Sequence, residues 1–350
     1  MSQIKTETGP LGLPTSYMIR DIRIDPAVVL APMEGVSNIV FRRLIRSIGG
    51  CGLTYTEFIA SKAIRARNQK ALLMADFDPD EYPISVQIFG KDPEEMAEAA
   101  KVVEDLGASI LDINMGCPSK KVCAHSGGSA LMREPKLAIE IVRKVRAAIS
   151  IPLTVKMRSG FDANQRNAPE LALAFQDEGA EGITIHWRTR EDGYKGTRQI
   201  DKIAECKAKI QIPVIANGDV TNPQSAEQML RETGADGVMV GRGAMRNPWS
   251  LLQIAQHLRG EKPMCVDREA QKSMLYLFLD RHHQYLRHEK ATLGKFKQIA
   301  KHFCTEIPNG DQLRRSLLRS QSIDEIIHHT EIFFDLSLSQ QPPLQNQNVI

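Results

Sequence analysis

Eight short apolar runs recur through the first 245 residues, and they constrain the fold more than any other feature of the chain. They are VVLAPM (28–33), LTYTEFI (53–59), ISVQIFG (84–90), ILDINMG (110–116), LTVKMR (153–158), GITIHWR (182–188), PVIANGD (213–219) and GVMVGRG (237–243). Each is rich in Val, Ile or Thr and ends in glycine or polar residues, as strands buried on both faces do. The gaps between them carry helix signals. DPEEMAEAAKVVEDLG (92–107) has an Asp cap, Pro at the first helical position and a terminal Gly. EPKLAIEIVRKVRAAI (134–149) and NPQSAEQMLRETG (222–234) read the same way. Eight strands alternating with helices predict an α/β chain folded as a (β/α)8 TIM barrel. An open doubly wound sheet is the alternative, but no G-x-G-x-x-G follows the first run.

Beyond GRGAMRNPWSLLQIAQHLRGEKP the pattern becomes purely helical: DREAQKSMLYLFLDRHHQYLRHEK, ATLGKFKQIAKHFCTEI, DQLRRSLLRS and IDEIIHHTEIFFDLS. The expected organisation is therefore an N-terminal extension (1–21), a barrel (22–260), a small all-helical domain (261–337) and a polar, Pro/Gln-rich disordered tail (338–350). Gly260 and Pro263 mark the joint between barrel and helices. Residues 13–27 are expected under or beside the barrel.

The chemistry of a barrel sits where its strands end. The first run ends in Pro32, Met33 and Glu34 before Gly35, the second carries Glu57, the third Gln87, and the fourth Asn114 and Cys117. Lys156 and Arg158 alternate at the end of the fifth, so both point to one side. His186 and Arg188 end the sixth, Asn217-Gly218-Asp219 the seventh, and Gly241-Arg242-Gly243 the eighth. Glycines and an arginine after the last two strands suit a phosphate. A flavin mononucleotide fits, with its phosphate at the Gly/Arg end and Lys156 near the ring position that becomes anionic on reduction. The thiol of Cys117 then has two possible uses. It donates a proton while a reduced flavin gives hydride to an activated double bond, or as a thiolate it attacks an electrophile. The second use lacks a well-spaced base.

Composition narrows the partners. The chain is 42% hydrophobic and 25% charged, with no run long enough to span a membrane and no basic start followed by an apolar core, so a cytoplasmic, non-membrane protein is expected. Six scattered cysteines show no metal spacing, and no metal is expected. Cys51, Cys206, Cys265 and Cys304 are expected to be small buried hydrophobes. Residues 281–320 hold nine Lys/Arg against three Asp/Glu, so this stretch carries +6 while the remainder of the chain carries −3. A basic helical segment on a slightly acidic body suggests a polyanionic partner.

APMEGVSN, YTEF, QIFG, INMGCPSKK, VKMRSG, HWRTR, IANGD and GVMVGRGA occur in order at the strand ends. Together they closely resemble the tRNA-dihydrouridine synthases, in particular the bacterial type with a helical C-terminal domain, over residues 22–335. The resemblance implies that FMN, reduced by NADPH or NADH, delivers hydride to C6 of a tRNA uracil while Cys117 protonates C5. It implies that Pro32, Met33, Glu34, Gln87, Lys156, His186, Asn217, Gly218, Asp219, Gly241 and Arg242 surround FMN. Asn114 and Arg158 would hold the uracil, with Glu57 nearby, and Lys120 and Lys121 would meet the tRNA backbone. Lys295, Lys297 and Lys301 of GKFKQIAKHF, with Arg314 and Arg315, match the family's basic helices and would grip tRNA. A monomer is expected. The chain departs from many relatives at Asn38, Cys123 and Trp187; the bulky Trp187 is expected to crowd the flavin or to stack on something. Two other readings are a flavin barrel acting on free pyrimidines and a tRNA-binding flavoprotein without catalysis.

Overall fold

The strands form where the apolar runs lie, and their register sets the interior. The computed structural model describes residues 6–119, 127–193 and 195–338. Three short strands come first: β1 (Glu7–Thr8), β2 (Pro14–Ile19) and β3 (Ile22–Ile24), joined as an antiparallel sheet. The barrel strands follow: β4 (Val28–Leu30), β5 (Thr54–Tyr55), β6 (Ile59–Ala60), β7 (Ile84–Phe89), β8 (Ile110–Met115), β9 (Leu153–Arg158), β10 (Gly182–His186), β11 (Val214–Asn217) and β12 (Gly237–Val240). They pair in parallel in the order β4-β12-β11-β10-β9-β8-β7-β5, with β6 also on β7. A parallel bridge between Val29 and Leu53, with Leu30 N–H donating to Leu53 O at 3.0 Å, closes β4 onto the β5 side. The TIM barrel expected from the alternation is present. The second run is two strand pieces rather than one, because the chain leaves the ladder at residues 56–58.

The helices begin and end where the caps predict. Asp92 accepts the Glu95 N–H at 2.8 Å ahead of the helix Pro93–Asp105, and Asn222 accepts Ser225 N–H at 2.8 Å ahead of Pro223–Thr233. Asn38 caps Ile39–Ile48 by accepting Phe41 N–H at 3.0 Å. Asn and Asp cap almost equally well, so the Asn38 departure has a local physical account. Inside that helix Arg42 forms a fully buried ion pair with Glu81, at 2.6 and 3.0 Å, and also reaches the carbonyls of Ser37 and Asp76.

The N-terminal strands are the part the apolar pattern did not predict. Tyr17, Ile19 and Ile24 are fully buried and pack with Val29, Leu53, Tyr55, Ile110, Ile215 and Met239, closing one end of the barrel from below. A Cβ at Gly237 would lie 2.7 Å from the Tyr17 ring, so this floor depends on glycine there. The described residues divide into two compact units: one runs to Ala244 and resumes over Pro248–Met264, the other takes Met245–Asn247 and the chain from Cys265. The second unit contains the helices Arg268–Leu286, Glu289–Phe303, Gly310–Arg319 and Ile323–Leu338 around Phe278, Phe296, Phe303 and Leu317. Its last helix includes Leu338; residues 339–350 lie outside the described residues. No helix among the described residues is long and apolar enough to cross a membrane.

Replacing Tyr17 by Ala removes a fully buried ring from the floor. Urea unfolding is expected to show a loss of about 3–5 kcal/mol, and a loss under ~1 kcal/mol would mean that the floor does not support the barrel.

Candidate active site

The register that closes the barrel also assembles its polar interior. Gln87 on β7 faces Asp112 on β8, and Asp112 faces Thr154 on β9; one step further, Asn114 faces Lys156. Parallel neighbours in register present side chains to the same face. Gln87 Nε2 donates to Asp112 Oδ2 at 2.6 Å, and Thr154 Oγ1 donates to Asp112 Oδ1 at 2.6 Å. Asn114 Nδ2 donates to Gln87 Oε1 at 2.7 Å. Asn114 Oδ1 then accepts the backbone N–H groups of Gly116 at 3.0 Å and Cys117 at 2.9 Å. On the other side, Cys117 O accepts Ser129 Oγ at 2.8 Å and Ser129 N–H at 3.2 Å. The backbone of this half-buried cysteine is thus held at both its N–H and its C=O. Lys120, Lys121 and Cys123 lie outside the described residues.

Lys156 donates to the neutral amide of Asn217 at 3.2 Å rather than to a carboxylate, and Asn217 in turn donates to Met239 O at 2.9 Å. Burial and then the neighbouring Arg158 lower its pKa to about 8. His186 is pushed well below its ordinary value, first by burial and then by Arg158, Lys156, Arg188 and Arg242. It is therefore neutral at pH 7. Its Nδ1 accepts Arg188 N–H at 3.2 Å, which puts the ring proton on Nε2. Asp112 shows the opposite response: burial lifts its carboxyl to about 6 against the pull of Gln87, Thr154 and Lys156.

Arg158 is buried. Its Nε donates to Gly116 O at 2.8 Å, and its Nη1 to Thr189 O at 2.7 Å and Gly193 O at 3.1 Å. It braces the cysteine loop against the loop after β10. Arg188 makes a two-pronged pair with Asp219 at 3.0 and 2.7 Å, and Arg242 reaches the same carboxylate at 3.1 Å. Glu57 accepts Gly35 N–H, Ser37 Oγ accepts Met33 N–H at 2.8 Å, and Glu34 is exposed on this turn. A Cβ at Gly241 would touch Met33 Sδ at 3.9 Å, so the first and last strand ends adjoin, while Pro32 is half-buried beside them.

Trp187 is buried, with the Arg188 guanidinium 3.9 Å over its ring. Gly218 has φ +116°, and a Cβ there would lie 2.4 Å from Trp187 Cδ1. The tryptophan therefore packs under an arginine and against a glycine of this chain. Sequence reasoning gave no role to Asp112, Thr154, Ser129 or Arg188. Asp112 had a signal, a carboxylate at the inward spacing of Asn114 in an apolar strand; Ser129, past the loop, had none. Of the cysteines expected to be buried, Cys51, Cys206 and Cys304 are, with thiol pKa values raised by burial, whereas Cys265 is exposed. Cys265 lies in the non-helical stretch before Arg268–Leu286, where no packed element covers it. No described group of three or more His, Cys, Asp or Glu could hold a metal ion.

In the helical unit, Lys297 donates to Ser320 O and Arg314 pairs with Asp311 at 2.9 Å. Lys301 and Arg315 are exposed and Lys295 is half-buried. Arg315 and Arg319 line a surface depression of about 560 Å³ with Gln312, Ser316 and His329.

A parallel barrel with a cysteine held by its backbone and a cluster of cationic side chains at its strand ends has the architecture of a TIM-barrel enzyme. The family model for dihydrouridine synthase (Dus) matches residues 29–335. The chain is 38% identical over 321 residues to tRNA-dihydrouridine synthase B of Xanthomonas axonopodis pv. citri, covering 91% of this chain and 96% of that protein. It is 46% identical over 235 residues to tRNA-dihydrouridine synthase B of Xanthomonas campestris pv. campestris, covering 67% and 70%. It is 45% identical over 251 residues to the probable tRNA-dihydrouridine synthase of Rickettsia prowazekii, covering 70% and 76%. The chain belongs to the dihydrouridine synthase family, whose members are flavin-dependent oxidoreductases. The residues fit such a group: Lys156 is a cation bonded to a neutral amide, and a neutral His186 stands beside it.

Gly218→Ala is expected to cost about 2 kcal/mol or more, because both the backbone and the Trp187 ring must shift. Trp187→Leu should relieve part of that cost, giving a coupling above ~0.5 kcal/mol in a double-mutant cycle followed by urea unfolding. Additive losses would show that the two residues do not meet.

Proposed function

We propose that this chain reduces the C5–C6 double bond of uridines in tRNA to 5,6-dihydrouridine, with FMN as its cofactor and NADPH as the reductant. The observation that carries this reading is the backbone clamp on Cys117 beside the Lys156 and Asn217 pair. It presents one proton-bearing thiol at a fixed place next to a cationic floor. The names of the relatives support tRNA as the substrate.

Bound there and reduced by NADPH, FMN would supply the hydride for C6 of the uracil. Cys117 gives its thiol proton to C5, where negative charge develops as C6 is reduced. Asn114 keeps one amide hydrogen beyond those it uses on Gln87, enough to hold a uracil oxygen. Arg158 forms the wall behind it, since its Nε and Nη1 brace the loops on either side. Lys156, His186, Asn217, Gly218, Gly241 and Arg242, together with Gln87, Pro32, Met33 and Glu34, would hold FMN, His186 being able to donate through Nε2–H. Asp219 orients Arg242. The uracil enters only when unstacked from the tRNA. Lys295, Lys301, Arg314, Arg315 and Arg319 supply phosphate contacts of the kind that make affinity fall with salt.

Unmodified tRNA incubated with the protein, FMN and NADPH, then digested and weighed, should yield a fragment heavier by two hydrogens. Cys117→Ala should lower that yield by about a hundredfold or more, the scale of lost general acid catalysis. An unchanged mass for tRNA that the protein retains on a filter would leave the non-catalytic tRNA binder as the better reading. Retention that falls steeply between low and high salt separates both from a barrel acting on free pyrimidines.

Lys156 holds its charge below pH 8 and loses it above. Folding of the flavin-free protein is accordingly favoured as pH rises from about 8 toward the ordinary lysine value, because there the unfolded chain binds the extra proton. Flavin affinity, read by fluorescence quenching, should run the other way and weaken as pH rises past 8. Lys156→Met should abolish that trend, and an unchanged trend in the variant would remove Lys156 from the site.

A further inference from the structure

Asp112 is fully buried, one layer below Asn114 in the barrel interior. A buried carboxyl group costs stability unless its oxygens are satisfied. This one is satisfied by Gln87 on one oxygen and Thr154 on the other. The arrangement has a direction. An ionised carboxylate only accepts, so Gln87 must turn its NH2 end toward Asp112 and its oxygen toward Asn114. Asn114 must then meet that oxygen with its own NH2 end, which turns Oδ1 toward the loop. There it accepts from Gly116 and Cys117, whose backbone N–H groups only donate. An acceptor-only group at one end and a donor-only pair at the other leave a single orientation for the two amides between them.

We propose that Asp112 is a positioning residue for Cys117, acting through the Gln87 and Asn114 amides to hold the reactive cysteine's backbone in place. This deepens the reading above and rests on it for the role of the thiol. The connection itself is independent of any cofactor or RNA. Strand alternation puts Asp112 and Asn114 on one side of β8, and register puts Gln87 beside Asp112, so the relay follows from the barrel's geometry. Without the acceptor at position 112, Gln87 is free to reverse. Asn114 still offers its oxygen to the Gly116 and Cys117 N–H groups, but the Gln87 oxygen that anchors its NH2 end is no longer held in place, so the clamp on the loop loosens. The cysteine is then held less firmly at its N–H than at its carbonyl, which Ser129 still binds.

The test reads the cysteine directly. Flavin-free protein is treated with iodoacetamide, and alkylation of Cys117 is followed by mass spectrometry of its peptide, which separates it from the exposed Cys265. Asp112→Leu keeps the size and removes the acceptor; it should raise the alkylation rate about tenfold, the scale of losing two hydrogen bonds. Asp112→Ala serves in its place if the leucine chain does not fold. Gln87→Leu should give the same rise, and the double variant Asp112→Leu with Gln87→Leu should rise no further, because both break one relay. Asp112→Asn should stay within about threefold of the parent, since its amide oxygen can face Gln87 while its NH2 donates to the Thr154 hydroxyl. An unchanged rate in Asp112→Leu or Asp112→Ala overturns the proposal, and so does a double variant whose rise is the product of the single ones. Turnover of tRNA by the parent protein is measured separately. Its absence would sink the reaction proposed above while leaving the alkylation pattern to decide on the relay.

Discussion

A closed parallel barrel turns the last inward side chain of every strand toward one opening, and each polar group placed there must find its partner inside the ring. This constraint organises the whole catalytic end of the molecule. The register of β7, β8 and β9 brings Gln87, Asp112 and Thr154 into one layer, and the next layer holds Asn114 and Lys156. The lower layer is satisfied internally, while Lys156 and His186 above it are left with neutral partners. Polar groups of the same strands thus differ by height: the lower ones satisfy a carboxylate, the upper ones are cation or imidazole with neutral partners.

The charges near the opening are unequal in the same way. Asp219 receives both Arg188 and Arg242, so two cations share one carboxylate. Burial first, and then the nearby Arg158, lower the pKa of Lys156, and burial first, then Arg158, Lys156, Arg188 and Arg242, keep His186 neutral. Holding Lys156 and His186 buried among these cations carries an electrostatic cost. The neutral imidazole is then a donor through Nε2 without adding to that cost.

The eight runs and their caps made the barrel legible in the sequence, because period and capping are local properties. The strand-end motifs likewise pointed to one opening. Two things were not legible. The place of residues 13–27 under the barrel is expected from the sequence, but not their pairing as strands, which are short and irregular and are packed against Tyr55 and Met239 far along the chain. The other is which polar residue bonds to which. Arg158 and Lys156 look alike at alternate positions of β9, yet one ends on backbone carbonyls and the other on an amide. That difference depends on where loops after β8 and β10 run, and no single strand encodes it.

Trp187 illustrates how such a departure is absorbed. The indole follows the last residue of β10 and is buried, its ring centroid 6.0 Å from that of His186. It is then covered by the guanidinium of the next residue and lies on Gly218, whose missing side chain leaves room for it. The same Arg188 that stacks on the ring holds Asp219, which holds Arg242. The bulk of Trp187 therefore acts on the site through charge geometry: it fixes the plane of Arg188, and so the direction from which Asp219 restrains Arg242. A smaller residue at 187 would leave that guanidinium without its stacking face, and the Asp219–Arg242 pair would be set less firmly than it is here.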